Sequence, residues 1–440
     1  MKIHEECAVF ACIVKNNRAF DYIKYGLTLL QHRGEESAGI TCGGKNYKTI
    51  KNTGLVEQVF KNVEAVEGDF GIGHVRYSTQ GSSDKVHAQP FQEKCKGEDI
   101  ALAHNGNISK ILQKKEAVFS DMTDSEIILK CLISEINKKP SLWTFEDITE
   151  VLYKNFDKGA YSLVIALPER IIGIKDPSGY RPLMFCIARE GYFLASEDCA
   201  FESLHIHKII EIQAGECIEI TKDNYKIQKY CKPEYTKQCV FEHIYFANPA
   251  SSIFSKNVYE TRVELGRLMA KEDKVKADII VPVMSSGLAA ALGYSEISKI
   301  PMHLGLKKNK AFRSFIQPTR ETREKIAVEK YIPIKSVIEN KRIILVDDSI
   351  VRGTTMMFLT RLLKKHGAKE IHIRLSSPAI INTCFWGIDI PYKNELIFRK
   401  FKDEKSFAEF LGAESVKFIP KKFFNEVFNP EKWCYNCFME

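Results

Sequence analysis

Apolar positions along this chain follow two rhythms, and the change between them predicts two structural units. Up to about residue 230 they come in short alternating runs separated by glycine-bearing turns, as at 71–77, 101–103, 162–166 and 192–195. Side chains alternate across a strand, so these runs predict short β-strands. One helical stripe interrupts them at 124–137, where Thr123 and Glu126 have the spacing of a capping box. Strands mixed with a few helices predict an α+β unit. After about residue 255 the rhythm changes to alternating helices and strands. Helices are predicted at 259–271, 288–298 and 356–365, and strands at 278–283, 343–346 and 370–375. In the third helix Phe358, Leu359, Leu362 and Leu363 fall on one side. Such alternation predicts a parallel sheet covered by helices, with ligands held beyond the carboxyl ends of its strands. No internal repeat or low-complexity linker stands out.

Length and composition agree with this division. A chain of 440 residues has room for two or three cores of its own. No apolar run approaches the ~20 residues that span a bilayer, and residues 1–6 carry more acid than base, which makes a poor signal peptide. The expected compartment is the cytoplasm, with no membrane partner. The net charge of +8 comes from dispersed lysines such as Lys307, Lys308, Lys310, Lys421 and Lys422. Without a binding module or an aromatic-basic surface motif this reads as a solvated surface, and no nucleic-acid partner is expected. Thirteen cysteines in a cytosolic chain should divide among buried apolar groups, nucleophiles and metal ligands. Cys131, Cys186 and Cys217 read as core.

Residues 344–355, I-L-V-D-D-S-I-V-R-G-T-T, carry the first candidate chemistry. A strand that hands a small-residue loop to a helix N-terminus makes an anion site from backbone N–H groups and the helix dipole. Asp347 and Asp348, just ahead of the loop, suit sugar hydroxyls or a magnesium ion beside a phosphate. No G-x-x-x-x-G-K-[ST] occurs, which excludes a P-loop NTPase. By themselves the residues also fit a plain strand-to-helix turn with an acidic, capped helix start. The pattern resembles the 5-phosphoribosyl-1-pyrophosphate (PRPP) motif of type I phosphoribosyltransferases. That resemblance implies that Asp347 and Asp348 hold the ribose hydroxyls and Mg2+. It assigns the 5′-phosphate to Ser349, Arg352, Gly353, Thr354 and Thr355, and the pyrophosphate to the turn at Ser285 and Ser286. Lys330, with Arg313 and Arg323, belongs to a closing segment whose cations reach the pyrophosphate.

Three islands in the first half carry a second chemistry: Q-H-R-G-E-E-S-A-G-I from Gln31, G-H-V-R-Y-S-T from Gly73 and A-H-N-G-N from Ala103. They resemble the glutaminase domain of N-terminal-nucleophile amidotransferases, whose catalytic cysteine begins the mature chain. Cys7 stands in that position, so residues 1–6 are expected to be a propeptide. A freed α-amine, with a pKa of about 8, can serve as base for the thiol, whereas an internal amide nitrogen cannot. The resemblance implies that Arg76 binds the glutamine α-carboxylate, Asp124 its ammonium, and Arg33 the Cys7 loop. Asn105 and Gly106 would form the oxyanion hole. Taken alone, Arg76 fits a surface ion pair and Asp124 a helix cap.

One family joins these halves, the amidophosphoribosyltransferases (glutamine PRPP amidotransferases), and the resemblance extends to D-P-S-G-Y-R-P-L from Asp176 and S-E-D-C-A-F from Ser196. It implies an N-terminal-nucleophile glutaminase sandwich at 7–235 and a type I phosphoribosyltransferase domain at 236–440 with a C-terminal cluster-binding segment. Glutamine hydrolysed at Cys7 would release ammonia that attacks C1 of PRPP, giving 5-phosphoribosylamine and pyrophosphate, the first committed step of purine synthesis. A homotetramer inhibited by purine nucleotides is implied as well. Cys239, Cys384, Cys434 and Cys437 match the [4Fe–4S] ligands of the propeptide-bearing class. Spacing alone leaves tetrahedral zinc open.

The match departs from the family at four places. Val283-Met284-Ser285-Ser286 stands where V-P-D-S is usual, and Ala247-Asn248-Pro249-Ala250-Ser251 where A-R-P-D-S is usual. The closing segment is one residue short before F-I-Q-P, and Glu35 replaces a common glutamine. Two rival readings follow: a PRPP- or nucleotide-sensing protein without catalysis, and a transferase acting on another phosphosugar. A pure sensor needs no glutaminase, so the complete set of glutaminase residues weighs against the first.

Overall fold

The computed structural model describes residues 7–44, 46–77, 85–108, 122–139, 143–156, 159–233, 235–308, 331–388, 390 and 392–439. Its first half is built on two antiparallel sheets. The seven-stranded sheet runs in the order Ile206–Glu211, Met184–Ala188, Gly191–Ala195, Ala8–Val14, Phe70–Arg76, Ser37–Gly43, Tyr47–Thr53. The six-stranded sheet runs Tyr225–Lys229, Glu216–Thr221, Arg170–Lys175, Ala160–Leu167, Glu98–Asn107, Phe91–Cys95.

The strand Ala8–Val14 shows why its sequence is apolar without a break. Its odd members Val9, Ala11 and Ile13 face the other sheet and meet Ala101, Ala103, Val164 and Ala166. Its even members Ala8, Phe10, Cys12 and Val14 face the helix Ala19–Leu29 through Phe20, Ile23 and Leu27. A strand covered on both faces has no polar side to alternate with. The second sheet is covered in the same way by the helices Asp124–Asn137 and Phe145–Phe156, whose Ile128, Leu132, Ile148 and Leu152 lie on Leu102, Leu163, Ile165 and Ile174. The capping box is present, with Thr123 Oγ1 accepting from Glu126 N and Glu126 Oε2 accepting from Thr123 N.

In the second half a four-stranded parallel sheet runs Ile279–Pro282, Arg342–Asp347, Glu370–Leu375, Ser415–Phe418. Helices Val258–Ala270 and Leu288–Ser298 cover one face through Leu265, Ala290, Ala291 and Tyr294. The helices Thr354–Lys365 and Glu404–Leu411 cover the other. The expected helix at 356–365 begins two residues earlier, because Gly353, in the left-handed region at φ +74°, closes the turn and acts as N-cap. Thr354 and Thr355 therefore belong to the helix. Its buried residues are Met356, Leu359, Thr360 and Leu363, while Phe358 and Leu362 are half-buried flanks. Cys186 and Cys217 are buried as expected, but Cys131 is only half-buried on the edge of its helix. One apolar cluster runs unbroken from Phe10 and Leu27 through Phe241 and Ile244 to Leu265 and Ile344, so the two halves share a core. No helix among the described residues is long and apolar enough to cross a membrane.

Candidate active sites

Cys7 precedes the first strand, and its Sγ donates to Tyr77 O at 3.6 Å. The pairing Ala8↔Val75 and Val9↔His74, carried one residue back, sets Cys7 opposite Arg76. Behind it, Arg33 Nε donates to Cys7 O at 3.3 Å. Val9 N and Asn105 Nδ2 both donate to Ser196 Oγ, at 3.0 and 3.5 Å, which ties the Cys7 strand to Asn105. Asn105 Oδ1 is buried without a hydrogen-bond partner. Gly106 follows with φ +153°, where a Cβ would lie 2.0 Å from Ala160 O, so only glycine fits the backbone there.

His74 Nε2 meets His104 O at 3.0 Å, and His104 Nδ1 lies 3.1 Å from Ser125 Oγ and 3.6 Å from Asp124 Oδ2. Burial pushes the His74 ring down to about 3, so it is neutral. Asp124 is not the helix cap; Thr123 is, and Asp124 begins the first turn. Its carboxylate accepts from Ile108 N and Ser125 N at 3.2 and 2.8 Å. Burial raises its pKa, but His104 and those two N–H groups outweigh burial and hold it below the usual range. Cys7, Arg33, Arg76, Asn105, Gly106 and Asp124 are thus joined through short links around the two sheet ends. Residues 1–6 lie outside the described residues.

A buried ion network, of which the sequence reading assigned a role only to Arg33, lies behind Cys7. Arg33, Arg181, Glu197 and Glu242 are all fully buried. Arg33 Nη1 donates to Glu197 Oε1 at 2.6 Å, and its two terminal nitrogens grip Glu242 at 2.9 Å each. Glu197 also accepts from His32 and from Asn248 N and Ser251 Oγ. Burial pushes Glu197 up, but the His32 hydrogen bond and the neighbouring Arg33 outweigh it and hold the carboxyl well below the usual range. Glu242 opens the short helix Glu242–Phe246. Arg262 donates to His243 O and Ala247 O, at 2.7 and 2.9 Å, and feels the charges of both Glu197 and Asp348. A glutamate inside an apolar run, V-F-E-H-I-Y-F, was the available signal, since such residues are buried only when paired.

Asp347 ends the strand Arg342–Asp347, Asp348 follows it, and both are 2 % exposed. Asp347 Oδ1 accepts from Ser286 Oγ at 2.7 Å and from Asp348 N at 3.0 Å. Ser349 Oγ donates to Asp348 Oδ2. The Ser285–Ser286 turn and the acid pair therefore meet at the carboxyl ends of adjacent strands, with Ser285 exposed. Gly353, the N-cap of the helix Thr354–Lys365, has no side chain with which to cap it, and the N-terminal dipole faces the loop. Arg352 is turned to Glu395, its Nε donating to Oε2 at 2.8 Å. Lys330, Arg313 and Arg323 lie outside the described residues. Two buried carboxylates flanked by hydroxyls are a donor set that suits magnesium.

Cys239 pairs in register with Cys434 where Gln238–Cys239 meets Trp433–Cys434. Burial raises the Cys437 thiol, and the nearby sulfurs of Cys434, Cys384 and Cys239 raise it further. Burial also pushes Cys434 up to about 11. Four thiols that influence one another, with Trp386 N donating to Cys384 Sγ at 3.3 Å, are a chemically suitable set for a cluster whose iron charge stabilises thiolates. Among the described residues no group of three or more His, Cys, Asp or Glu side chains is placed to hold a metal ion.

Residues 48–176 match the class-II glutamine amidotransferases, and residues 257–376 match the phosphoribosyl transferase domain. Fold and sites together define a glutamine amidotransferase joined to a phosphoribosyltransferase. The amidophosphoribosyltransferase of Methanocaldococcus jannaschii is 40 % identical over 442 residues, covering 94 % of this chain and 92 % of that protein. That of Synechocystis is 39 % identical, covering 96 % and 87 %. The solved glutamine PRPP amidotransferase of B. subtilis, complexed with ADP and GMP, superposes with a TM-score of 0.86 at 33 % identity, over 98 % of this chain and 95 % of that one. The chain belongs to the amidophosphoribosyltransferase family.

Proposed function

We propose that this protein makes 5-phosphoribosylamine, glutamate and pyrophosphate from PRPP, glutamine and water, at the first committed step of purine synthesis. The observation that carries this is the presence, in one chain, of the Cys7 strand tied through Ser196 to Asn105, the adjoining His104–Asp124 contact, and the Asp347–Asp348 turn. Arg76 pairs with the glutamine α-carboxylate and Asp124 with its ammonium. The Cys7 thiolate attacks the side-chain carbonyl while Asn105 and Gly106 donate to the oxygen that gains charge. The Cys7 α-amine, freed by loss of residues 1–6, takes the thiol proton and returns it to the departing ammonia. Water then releases glutamate from the thioester. Ammonia held away from bulk water keeps its lone pair and attacks C1 of PRPP as the C1–pyrophosphate bond breaks.

On the acceptor side Asp347 and Asp348 take the ribose hydroxyls, and Ser349, Gly353, Thr354 and Thr355 take the 5′-phosphate. Magnesium bound beside these acids would neutralise the leaving pyrophosphate. The turn keeps its serine on Asp347 although it lacks the usual aspartate, which supports pyrophosphate binding through Ser285 and Ser286. Cys239, Cys384, Cys434 and Cys437 hold a structural [4Fe–4S] cluster. The glutaminase unit spans 7–235 and the transferase unit 236–440. The solved B. subtilis relative carries ADP and GMP, which supports purine-nucleotide inhibition here. We extend the reading to a cytoplasmic homotetramer.

The deciding experiment is PRPP-dependent formation of glutamate and pyrophosphate by anaerobically purified protein. Neither product appearing, with Cys7 shown by mass to be N-terminal, sinks the proposal and revives the sensor reading. Asp347→Asn should abolish synthesis and spare glutamine hydrolysis.

A further inference from the structure

We propose that the loop from Cys384 to Gly387 positions the oxyanion hole of the glutaminase, with Gly387 as the residue that holds Gly106 in place; this rests on reading Asn105 and Gly106 as the oxyanion donors. Gly106 is confined on one side by its own domain, where a Cβ would meet Ala160 O at 2.0 Å and His104 Nε2 at 2.8 Å. Another contact comes from a distant part of the chain. A Cβ on Gly387 would lie 3.2 Å from Gly106 C, 3.3 Å from Asn107 Cβ and 3.0 Å from Arg181 Nη2. The Gly387 backbone is therefore packed directly on the peptide that follows the oxyanion glycine. Gly387 also has φ +105°, a conformation side chains rarely adopt.

The loop is itself held firmly. The fully buried Arg181 donates through Nη2 to Trp386 O, and its Nη1 reaches Glu242 Oε1 at 3.4 Å. The Trp386 ring stacks on Tyr180 at 4.7 Å and 17°. Ile381 N and Asn382 N, a few residues ahead, donate to Cys437 O at 2.9 and 3.1 Å. Gly106 thus sits between its own sheet and a loop anchored by Arg181 and by the C-terminal cysteine segment. Donors of an oxyanion hole stabilise charge only where they are held in advance of the reaction, and loss of one costs about 10²–10³ in rate. Displacing one by a few tenths of an ångström should cost less, about tenfold to a hundredfold.

The test is Gly387→Ala in the full-length, anaerobically purified protein. Its kcat for glutamine hydrolysis should fall about 10–100-fold while KM for glutamine stays within about twofold, since Arg76 and Asp124 are untouched. Synthesis from PRPP supplied with free ammonia should be unchanged, which also reports that the variant is folded. An unchanged kcat overturns the proposal, and so does a parallel fall of kcat and ammonia-supported synthesis, which indicates general damage. If Gly387→Ala does not accumulate, Arg181→Lys decides, because it keeps the charge but loses the Nη2 bond to Trp386 O; the same split is expected. Asn105→Ala separates the two levels. Wild-type hydrolysis that is insensitive to Asn105→Ala sinks the oxyanion reading. Hydrolysis that falls with Asn105→Ala but not with Gly387→Ala sinks only the role of the loop.

Discussion

Glu242→Gln is the most exacting perturbation the structure offers, because its magnitude can be set against a matched control. Glu242 accepts two hydrogen bonds from Arg33 at 2.9 Å and lies 3.4 Å from Arg181 Nη1, and all three side chains are fully buried. Two arginines and the two carboxylates of Glu197 and Glu242 balance one another there. Glutamine keeps the shape and one acceptor but leaves an uncompensated buried positive charge. Breaking a buried pair costs about 3–5 kcal/mol, and the remaining contact to Glu197 at 2.6 Å places the loss near the lower end. The control is Glu296→Gln, since Arg267 and Glu296 also stand 2.6 Å apart but are each 42 % exposed. An exposed pair contributes about 0–1 kcal/mol. In a unit of this size ~3 kcal/mol lowers the melting temperature by roughly 6–12 °C, against at most a few degrees for the control. Calorimetry of both variants at pH 7 reads this directly. A Glu242→Gln shift no larger than that of Glu296→Gln would refute the reasoning.

Three further outcomes are expected. His74 titrates near 3 when folded and near ~6.5 when unfolded, so between those values the unfolded chain binds the extra proton and stability falls as pH falls. His74→Gln should flatten the loss between pH 6.5 and 5 by up to ~1.4 kcal/mol per unit in urea titrations, and an unaltered slope contradicts the assignment. Ser286→Ala removes the 2.7 Å bond to Asp347 and should raise KM for PRPP about fivefold without altering basal glutamine hydrolysis. Thr123→Ala should cost about 1 kcal/mol of stability and raise KM for glutamine, because the cap it removes seats the turn that carries Asp124.

Much of the fold was legible because its signals are local. The helix predicted at 288–298 forms there, as do the strand at 370–375 and the capping box at Thr123 and Glu126. Burial period and cap chemistry act within a turn or two, so one stretch of chain contains them. Local misreadings have local causes too: Gly353 starts its helix early, and Cys131 sits at the edge of the stripe that was read as core. What sequence could not convey is which distant residues meet. Ser196 joins the Cys7 strand to Asn105 across the two sheets, and Ser286 reaches Asp347 from another strand end. Gly387 gives no local sign that its neighbour is Gly106.

The buried network also bears on why the two sites share one chain. An apolar seam of equal area would hold the halves together but would tolerate sliding, whereas an arginine fork on a carboxylate has one good geometry. Arg33 joins Cys7 O to Glu242, and the helix that Glu242 opens presents His243 O and Ala247 O to Arg262, which lies within electrostatic reach of Asp348. The backbone of Cys7 and the Asp347–Asp348 pair are thereby referred to one short helix. Proximity alone does not make a signal path, since coupling needs both sites to bias the same element. The Glu242→Gln variant supplies that criterion: if the helix Glu242–Phe246 is the shared element, glutamine hydrolysis measured with PRPP present should fall more than hydrolysis measured without it. Equal losses would mean that the network holds the halves together and does no more.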